Sequence, residues 1–143
     1  MTESNNQQQV VDTQIQVPIF GYELIRDMLL PDLLGKDHTQ LIYWAGKQLA
    51  RKFTIDTQED IAQFFKEAGW GELELMEQNK YEVKYSIRGE MVARRLDLNK
   101  DATFQLEAGF LAEQIQRQKG KTAEAIEEQK KKKEIMITVQ WDK

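Results

Sequence analysis

The spacing of apolar residues changes along this chain, and that change is the strongest constraint on its fold. Up to Gly69, apolar residues recur at the three- and four-residue spacing of helices. Over 72–77 and again over 81–88 they alternate with charged residues, which is typical of two strands with one buried face. A helical pattern follows at 103–119, and alternation returns over 135–141. The order predicts an α+β fold in which helices and hairpins follow one another.

The helical half of the chain carries recognisable start and stop signals. Apolar residues within 22–29 predict a first helix that ends at Pro31, because proline cannot continue a helix. Asp37 with Gln40 three residues later has the arrangement of a capping box and predicts the next helix start. A third helix is predicted to begin at residue 56 or 57.

The segment 122–133 allows two interpretations. Its Ala, Glu, Gln and Lys residues favour a helix by propensity. Its one large apolar residue, Ile126, would make a poor core-facing helix. The competing interpretation is a strand over Lys121–Gln129 that turns through Lys130–Lys133 into the last strand.

Composition narrows the class of protein. The 143 residues suit one domain, predicted over 18–143, after a polar and disordered lead at 1–17. The chain has no cysteine, which excludes disulfides, thiolate catalysis and thiolate metal sites. A net charge of −4 gives no electrostatic reason to bind nucleic acid. No apolar run approaches the roughly 20 residues that span a bilayer, so a cytoplasmic location is expected.

Polar residues do not assemble a predicted catalytic or metal site. His38 is the only histidine, and its place at a helix start favours a surface role. Glu107 and Glu113 fall on different faces of one helix, so structural charge is the better interpretation. The remaining carboxylates of interest are expected on a solvated hairpin: Glu124, Glu127 and Glu128. The lysine run 130–133 is expected to be a solvated turn that discourages sheet aggregation. The sequence predicts no enzyme, no cofactor and no metal.

Aromatic and small residues suggest either close packing or a ligand pocket. Ala45–Gly46 and Ala108–Gly109 place small residues on two helices, where backbones could approach closely. Close packing is favoured, because empty space in a core is costly. The alternative is an internal apolar pocket, lined by Tyr43, Trp44, Trp70, Phe104, Ala108 and Gly109.

Five sequence blocks resemble a known family. They read YELIRDMLLPDLLGKD, YWAGKQLARKF, FFKEAGWGEL, FQLEAGFLAEQIQ and ITVQWD. Together they are similar to the YslB family of Gram-positive bacteria, a domain of unknown function (DUF2507). That family is in turn similar to the ligand-binding fold of transport-protein-particle (TRAPP) core subunits and vinyl-reductase-type sensor domains. The resemblance implies helices packed on a four-stranded antiparallel sheet made of two hairpins, and it favours the strand interpretation of 121–129. It also implies a possible small apolar ligand or acyl chain, but not a cysteine-bound one, since no cysteine is present.

Two functional hypotheses follow. The favoured one is a homodimerising interaction module, because the stretch from Tyr22 to Leu34 carries more apolar residues than one helix stripe can bury. The expected dimer or partner face consists of Leu24, Met28, Leu29 and Leu33. The alternative is a sensor-like domain that binds a small molecule or acyl chain in the pocket described above.

Overall fold

The structure is a computed structural model that describes residues 15–143. The chain divides into an N-terminal unit that ends at Gly35 and a second unit, Lys36–Lys143. Most of the predicted disordered lead, residues 1–14, lies outside the described residues. One domain over 18–143 stays a prediction.

The described part of the N-terminal unit is helical almost throughout. Helix α1 (Ile19–Glu23) runs into a π-helix (Leu24–Leu29) and then into α2 (Leu30–Leu34). The prediction that the helix ends at Pro31 is therefore wrong. Pro31 lies in the first turn of α2, where the missing N–H costs little. The π-turn before it is wider than an α-helical turn, so the proline ring does not clash with the carbonyl of the preceding turn.

The second unit follows the predicted order of helices and hairpins. After a 3-10 turn (Gly35–Asp37) its elements are α3 (His38–Lys52), α4 (Gln58–Glu67), β1 (Glu72–Gln78), β2 (Glu82–Arg88), α5 (Glu90–Leu98), α6 (Gln105–Lys119), β3 (Ala123–Lys130) and β4 (Glu134–Trp141). Because 123–130 pairs with β4 residue by residue, the helix interpretation of 122–133 is wrong and the strand interpretation is confirmed.

The four strands form one antiparallel sheet in the order β1-β2-β4-β3. Two hairpins, β1–β2 and β3–β4, meet where β2 pairs with β4. One face of the sheet is buried, through Val83, Tyr85, Ile87, Ile135, Ile137 and Val139. The opposite face carries mostly charged and polar residues, as the alternation of each strand requires.

Helix α6 is the centre of the second unit. Side chains on all of its sides are buried between residues 107 and 115, so it has neither a solvent face nor a simple amphipathic pattern. It ends at Gly120, whose left-handed backbone (φ 67°) provides the predicted stop. The rings of Phe64, Phe65, Trp70 and Phe110 pack between it and α4 with centroids 4.7–6.0 Å apart.

Helix starts follow the predictions only in part. Thr57 caps α4, since its hydroxyl accepts the Asp60 N–H at 3.1 Å. Asp37 stands at the N-cap of α3, but its side chain accepts no hydrogen bond from the helix, so the predicted capping box is wrong. The preceding 3-10 turn holds Asp37 at φ −94° and ψ 13°, away from the extended backbone that capping requires.

Candidate functional site

An exposed apolar surface covers the N-terminal unit. We call it the N-terminal apolar face, and it consists of Phe20 (59% exposed), Leu24 (40%), Ile25 (57%), Met28 (58%), Leu29 (57%) and Leu33 (73%). The hydrogen bonds of a π-helix join residues five apart, so Leu24 and Leu29 lie one above the other with Met28 beside them. All four residues expected on a partner face therefore lie on this exposed surface.

Two charged side chains of the same unit are buried. Arg26 is 6% exposed, and its Nη1 donates to the Tyr22 hydroxyl at 2.9 Å. Glu23 is also buried, at 5% exposed. The unit thus buries charged side chains while large apolar ones face solvent, the reverse of the usual distribution.

The two predicted notches form a seam between parallel helices α3 and α6, which we call the α3–α6 seam. A Cβ atom added to Gly109 would lie 2.0 Å from the Tyr43 carbonyl oxygen, and one added to Gly46 would lie 2.2 Å from the Leu106 carbonyl oxygen. Backbone therefore fills both notches. The close-packing interpretation is confirmed, and neither notch has room for a ligand.

The six predicted pocket residues are distributed over different surroundings. Phe104 and Ala108 are fully buried, Trp70 belongs to the aromatic cluster beside α4, and Gly109 contacts backbone. Trp44 is 60% exposed. Only Tyr43 borders one of the clefts described below.

Tyr43 reaches from α3 to the edge strand β3. Its hydroxyl donates to Glu124 Oε1 at 2.5 Å and accepts the Ala125 N–H at 2.8 Å, while Lys47 Nζ donates to the same Glu124 oxygen at 2.9 Å. Burial, reinforced by the Glu124 carboxylate, raises the pKa of Tyr43 well above its usual value. Burial acts to raise the pKa of Glu124, but hydrogen bonds from Tyr43 and Lys47 hold it below its usual value.

Glu127 caps the start of α6, which corrects its expected place on a solvated hairpin. Its carboxylate accepts the Phe104 N–H at 3.0 Å, the Thr103 hydroxyl at 2.9 Å and the Gln105 side-chain amide at 2.6 Å. The Phe104 N–H is one of the free backbone donors of a helix N-terminus, where negative charge is stabilised. Glu124 and Glu128 are exposed, as expected.

A polar cleft of about 440 Å³ opens beside this cap. It is lined by Thr39, Gln40, Tyr43, Thr103, Gln105 and Glu127. Because α3 and α6 run parallel, both begin at this cleft, and the side chains that line it carry hydroxyl, amide and carboxylate groups.

A second cleft of about 470 Å³ lies at the start of α5. Lys66 and Arg88 contribute positive charge to its lining, and Glu72 and Glu90 contribute negative charge. The two positive and two negative side chains leave the lining without a net formal charge.

Helix α6 also carries a buried charge that the sequence did not reveal. Glu107 is fully buried, and its Oε2 lies 3.9 Å from Arg95 Nη1 on α5. The Arg95 guanidinium stacks over the Phe104 ring at 4.4 Å and donates to the Thr103 carbonyl at 2.8 Å. This arrangement supports structural charge, with the pair joining α5 to α6. Glu113 has the other structural role expected, since it accepts a hydrogen bond from Arg51 at 3.1 Å.

The remaining polar candidates lie apart. His38 is half-buried at the first position of α3. Lys131 to Lys133 form the exposed β3–β4 turn, and Lys133 pairs with Asp97. Among residues 15–143, no group of three or more His, Asp or Glu side chains is placed to hold a metal ion. No helix within the same residues is long and apolar enough to span a membrane.

The comparisons with known proteins agree on one family and one fold. Residues 19–140 match the family described as "Protein of unknown function (DUF2507)". The "Uncharacterized protein YslB" of Bacillus subtilis is 45% identical over 130 residues, which are 90% of this chain and 88% of that protein. A crystal structure of a vinyl-4-reductase family protein from Methanocaldococcus jannaschii aligns with a TM-score of 0.67 and 14% identity, over 99% of this chain and 92% of the other. That likeness establishes the shared fold, while the sequence matches establish that this chain belongs to the DUF2507 family.

Proposed function

We propose that the protein is a non-enzymatic interaction module that homodimerises through the N-terminal apolar face. The observation that carries the proposal is the exposure of six large apolar side chains on one short helical segment. Such side chains present on the order of 500 Å² of apolar surface, near the upper limit of what monomers leave uncovered. A surface of this size usually marks a partner site.

A second copy is the occupant that we favour. In a two-fold dimer the same surface serves both subunits, so one apolar face covers another without a second specialised protein. Each face of about 500 Å² supplies more than half of the roughly 800 Å² per subunit that a standard interface buries. A π-turn within the segment agrees with this role, since π-turns occur frequently at functional sites.

The proposal includes a cytoplasmic location and no catalytic activity. The cytoplasmic location rests on the absence of cysteine from the sequence, which suits a reducing compartment. The non-enzymatic assignment rests on what the two clefts contain. One holds a carboxylate already bound by a helix start, and the other holds charges that offset each other.

The test is the oligomeric state of the wild type and of a variant with Leu24→Glu and Met28→Glu. Light scattering at micromolar concentration should give a dimer for the wild type and a monomer for the variant, because four carboxylates would meet across the two-fold axis. Leu98→Glu is the matched control, since Leu98 is 64% exposed on α5 and should leave the dimer intact.

A wild type that is monomeric at every concentration would refute the dimer. Circular dichroism must accompany the measurement, because a variant that unfolds would show that Leu24 and Met28 support the fold instead. Leu33→Glu then provides a separate test at the most exposed position of the face.

Binding of a small molecule is the second candidate, and the polar cleft favours it. Its hydroxyl and amide walls suit a polar ligand rather than an acyl chain. Native mass spectrometry of the purified protein distinguishes the candidates, because a retained adduct supports ligand binding and a bare dimer supports the interaction module.

A further inference from the structure

The edge strand β3 has a covered half and an open half. In its ladder with β4, the backbone groups of residues 123, 125, 127 and 129 point away from β4, because alternate residues bond the neighbouring strand. The Gln116 side chain accepts the Ala123 N–H at 3.1 Å, and the Tyr43 hydroxyl accepts the Ala125 N–H at 2.8 Å. Within the described residues, no side chain covers the corresponding N–H groups of Glu127 and Gln129.

The other edge of the sheet is built differently. Strand β1 has a register shift between Leu75 and Glu77, which disrupts its outer edge, and β3 pairs evenly to its end. The exposed side chains of β1 include three carboxylates, Glu72, Glu74 and Glu77, and no lysine or arginine. Two copies of β1 would therefore repel each other.

Charge in β3 is divided between its two ends. Acidic residues occupy 124, 127 and 128, and lysines occupy 130–133. When such a strand pairs antiparallel with itself about Gln129, Glu128 of each copy faces Lys130 of the other, and the ion pair that these residues form within one chain at 3.2 Å is exchanged for a pair across the axis. Parallel pairing would instead place like charges opposite each other, which is unfavourable.

We propose that residues 128–130 pair antiparallel with the same segment of a second copy, about a two-fold axis at Gln129. The contact joins two four-stranded sheets into one continuous sheet. Edge lysines normally discourage pairing with any strand. The lysines occupy only one end of this segment. They therefore disfavour foreign strands and parallel registers, but in the antiparallel register they face the glutamate of a second copy of the same chain.

This contact is short, and it does not depend on the N-terminal apolar face. Three residues from each chain provide two backbone hydrogen bonds and two opposite-charge pairs, well below a standard interface. It should therefore form at high protein concentration, or where another contact already holds two copies together.

Gln129→Cys tests the contact directly, since the chain contains no other cysteine. Directly opposed residues in an antiparallel hydrogen-bonded pair have Cα atoms about 5.5 Å apart, which is within disulfide range. The substitution is made in the Leu24→Glu, Met28→Glu variant, so that the N-terminal apolar face does not contribute. Under mild oxidation it should form covalent dimers at least about tenfold faster than Lys121→Cys, an exposed control far from the proposed axis.

Charge exchange provides the specific control. Glu128 and Lys130 are largely exposed, at 66% and 43% of their side chains, so their replacement should not disturb the fold. Glu128→Lys or Lys130→Glu alone should slow cross-linking of Gln129→Cys to the control rate, and the two together should restore it. Equal rates at residues 121 and 129, or equal rates in all charge variants, would overturn the proposal.

Discussion

The two units of this protein differ in the exposure of their large apolar side chains. The unit Lys36–Lys143 buries large side chains on every side of α6 and brings α3 so close that backbone contacts backbone at two glycines. The N-terminal unit leaves the six large apolar side chains of the N-terminal apolar face exposed while it buries a glutamate and an arginine. Apolar content alone would not distinguish the two helical regions. Gly46 and Gly109 lie where backbone of the same chain covers the helix, whereas nothing lies within 4 Å of Gly21 in the N-terminal unit.

The largest expected effect tests the α3–α6 seam. Gly109→Leu should destabilise the fold by about 3 kcal/mol or more, because the new side chain meets the Tyr43 backbone carbonyl, which cannot rotate away. Chemical denaturation measures the loss. Gly21→Ala in α1 is the matched control, since nothing lies within 4 Å of that position, and it should gain up to about 1 kcal/mol. A stable Gly109→Leu variant would contradict the close approach of the helices.

The next effect concerns ionisation within the buried unit. Burial raises the pKa of Tyr85 to about 12, so the folded state keeps its proton after the unfolded chain has lost it. Stability is therefore complete below the ordinary tyrosine pKa of about 10 and is lost as the pH rises from there through 12. The loss of stability should reach about 2 kcal/mol. Urea denaturation at several pH values measures this loss. Tyr85→Phe should remove a large part of that dependence, and an unchanged alkaline profile would show that Tyr85 is accessible.

A smaller effect is expected where α3 covers the sheet edge. Tyr43→Phe leaves the Ala125 N–H without its acceptor and should cost about 1 kcal/mol. Amide exchange at Ala125 should accelerate, and that at Ala123, held by Gln116, should not. Equal acceleration at both positions would indicate general loosening of β3 rather than loss of one hydrogen bond.

The smallest effect belongs to the N-terminal apolar face. Under conditions where the protein is monomeric, Leu24→Glu with Met28→Glu should change the unfolding free energy by no more than about 0.5 kcal/mol, since 40% of Leu24 and 58% of Met28 are already exposed. Denaturation at low protein concentration measures this. A loss comparable to that of Gly109→Leu would erase the contrast between the two units.

Much of the architecture could be predicted from residue spacing. Alternation identified the first hairpin and the last strand, the family resemblance favoured the strand at β3, and Gly120 marked the end of α6. The excess of apolar residues after Tyr22 indicated an exposed face. Each of these signals is local, because it depends on neighbours within one helical turn or one strand.

The features that sequence could not reveal depend on distant partners. Glu127 has the pattern of a solvent-facing strand residue, and only the start of α6 beside it gives it a role. Glu107 is buried because Arg95 and the sheet surround its helix. Pro31 continues the helical segment because a π-turn precedes it, and no residue in that turn announces this geometry.

The position of α6 also bears on how the protein folds. Its closest neighbour, α3, lies some 60 residues earlier in sequence, and Gln114 secures the end of the seam by bonding the Phe53 carbonyl and the Ile55 N–H. The two hairpins and helix α3 can bury their apolar side chains only after α6 packs against them. The contacts between α3 and α6 therefore close a long loop, and topologies with many such contacts fold slowly. We expect one cooperative transition for residues 36–143, with amides of α6 that exchange only through global unfolding.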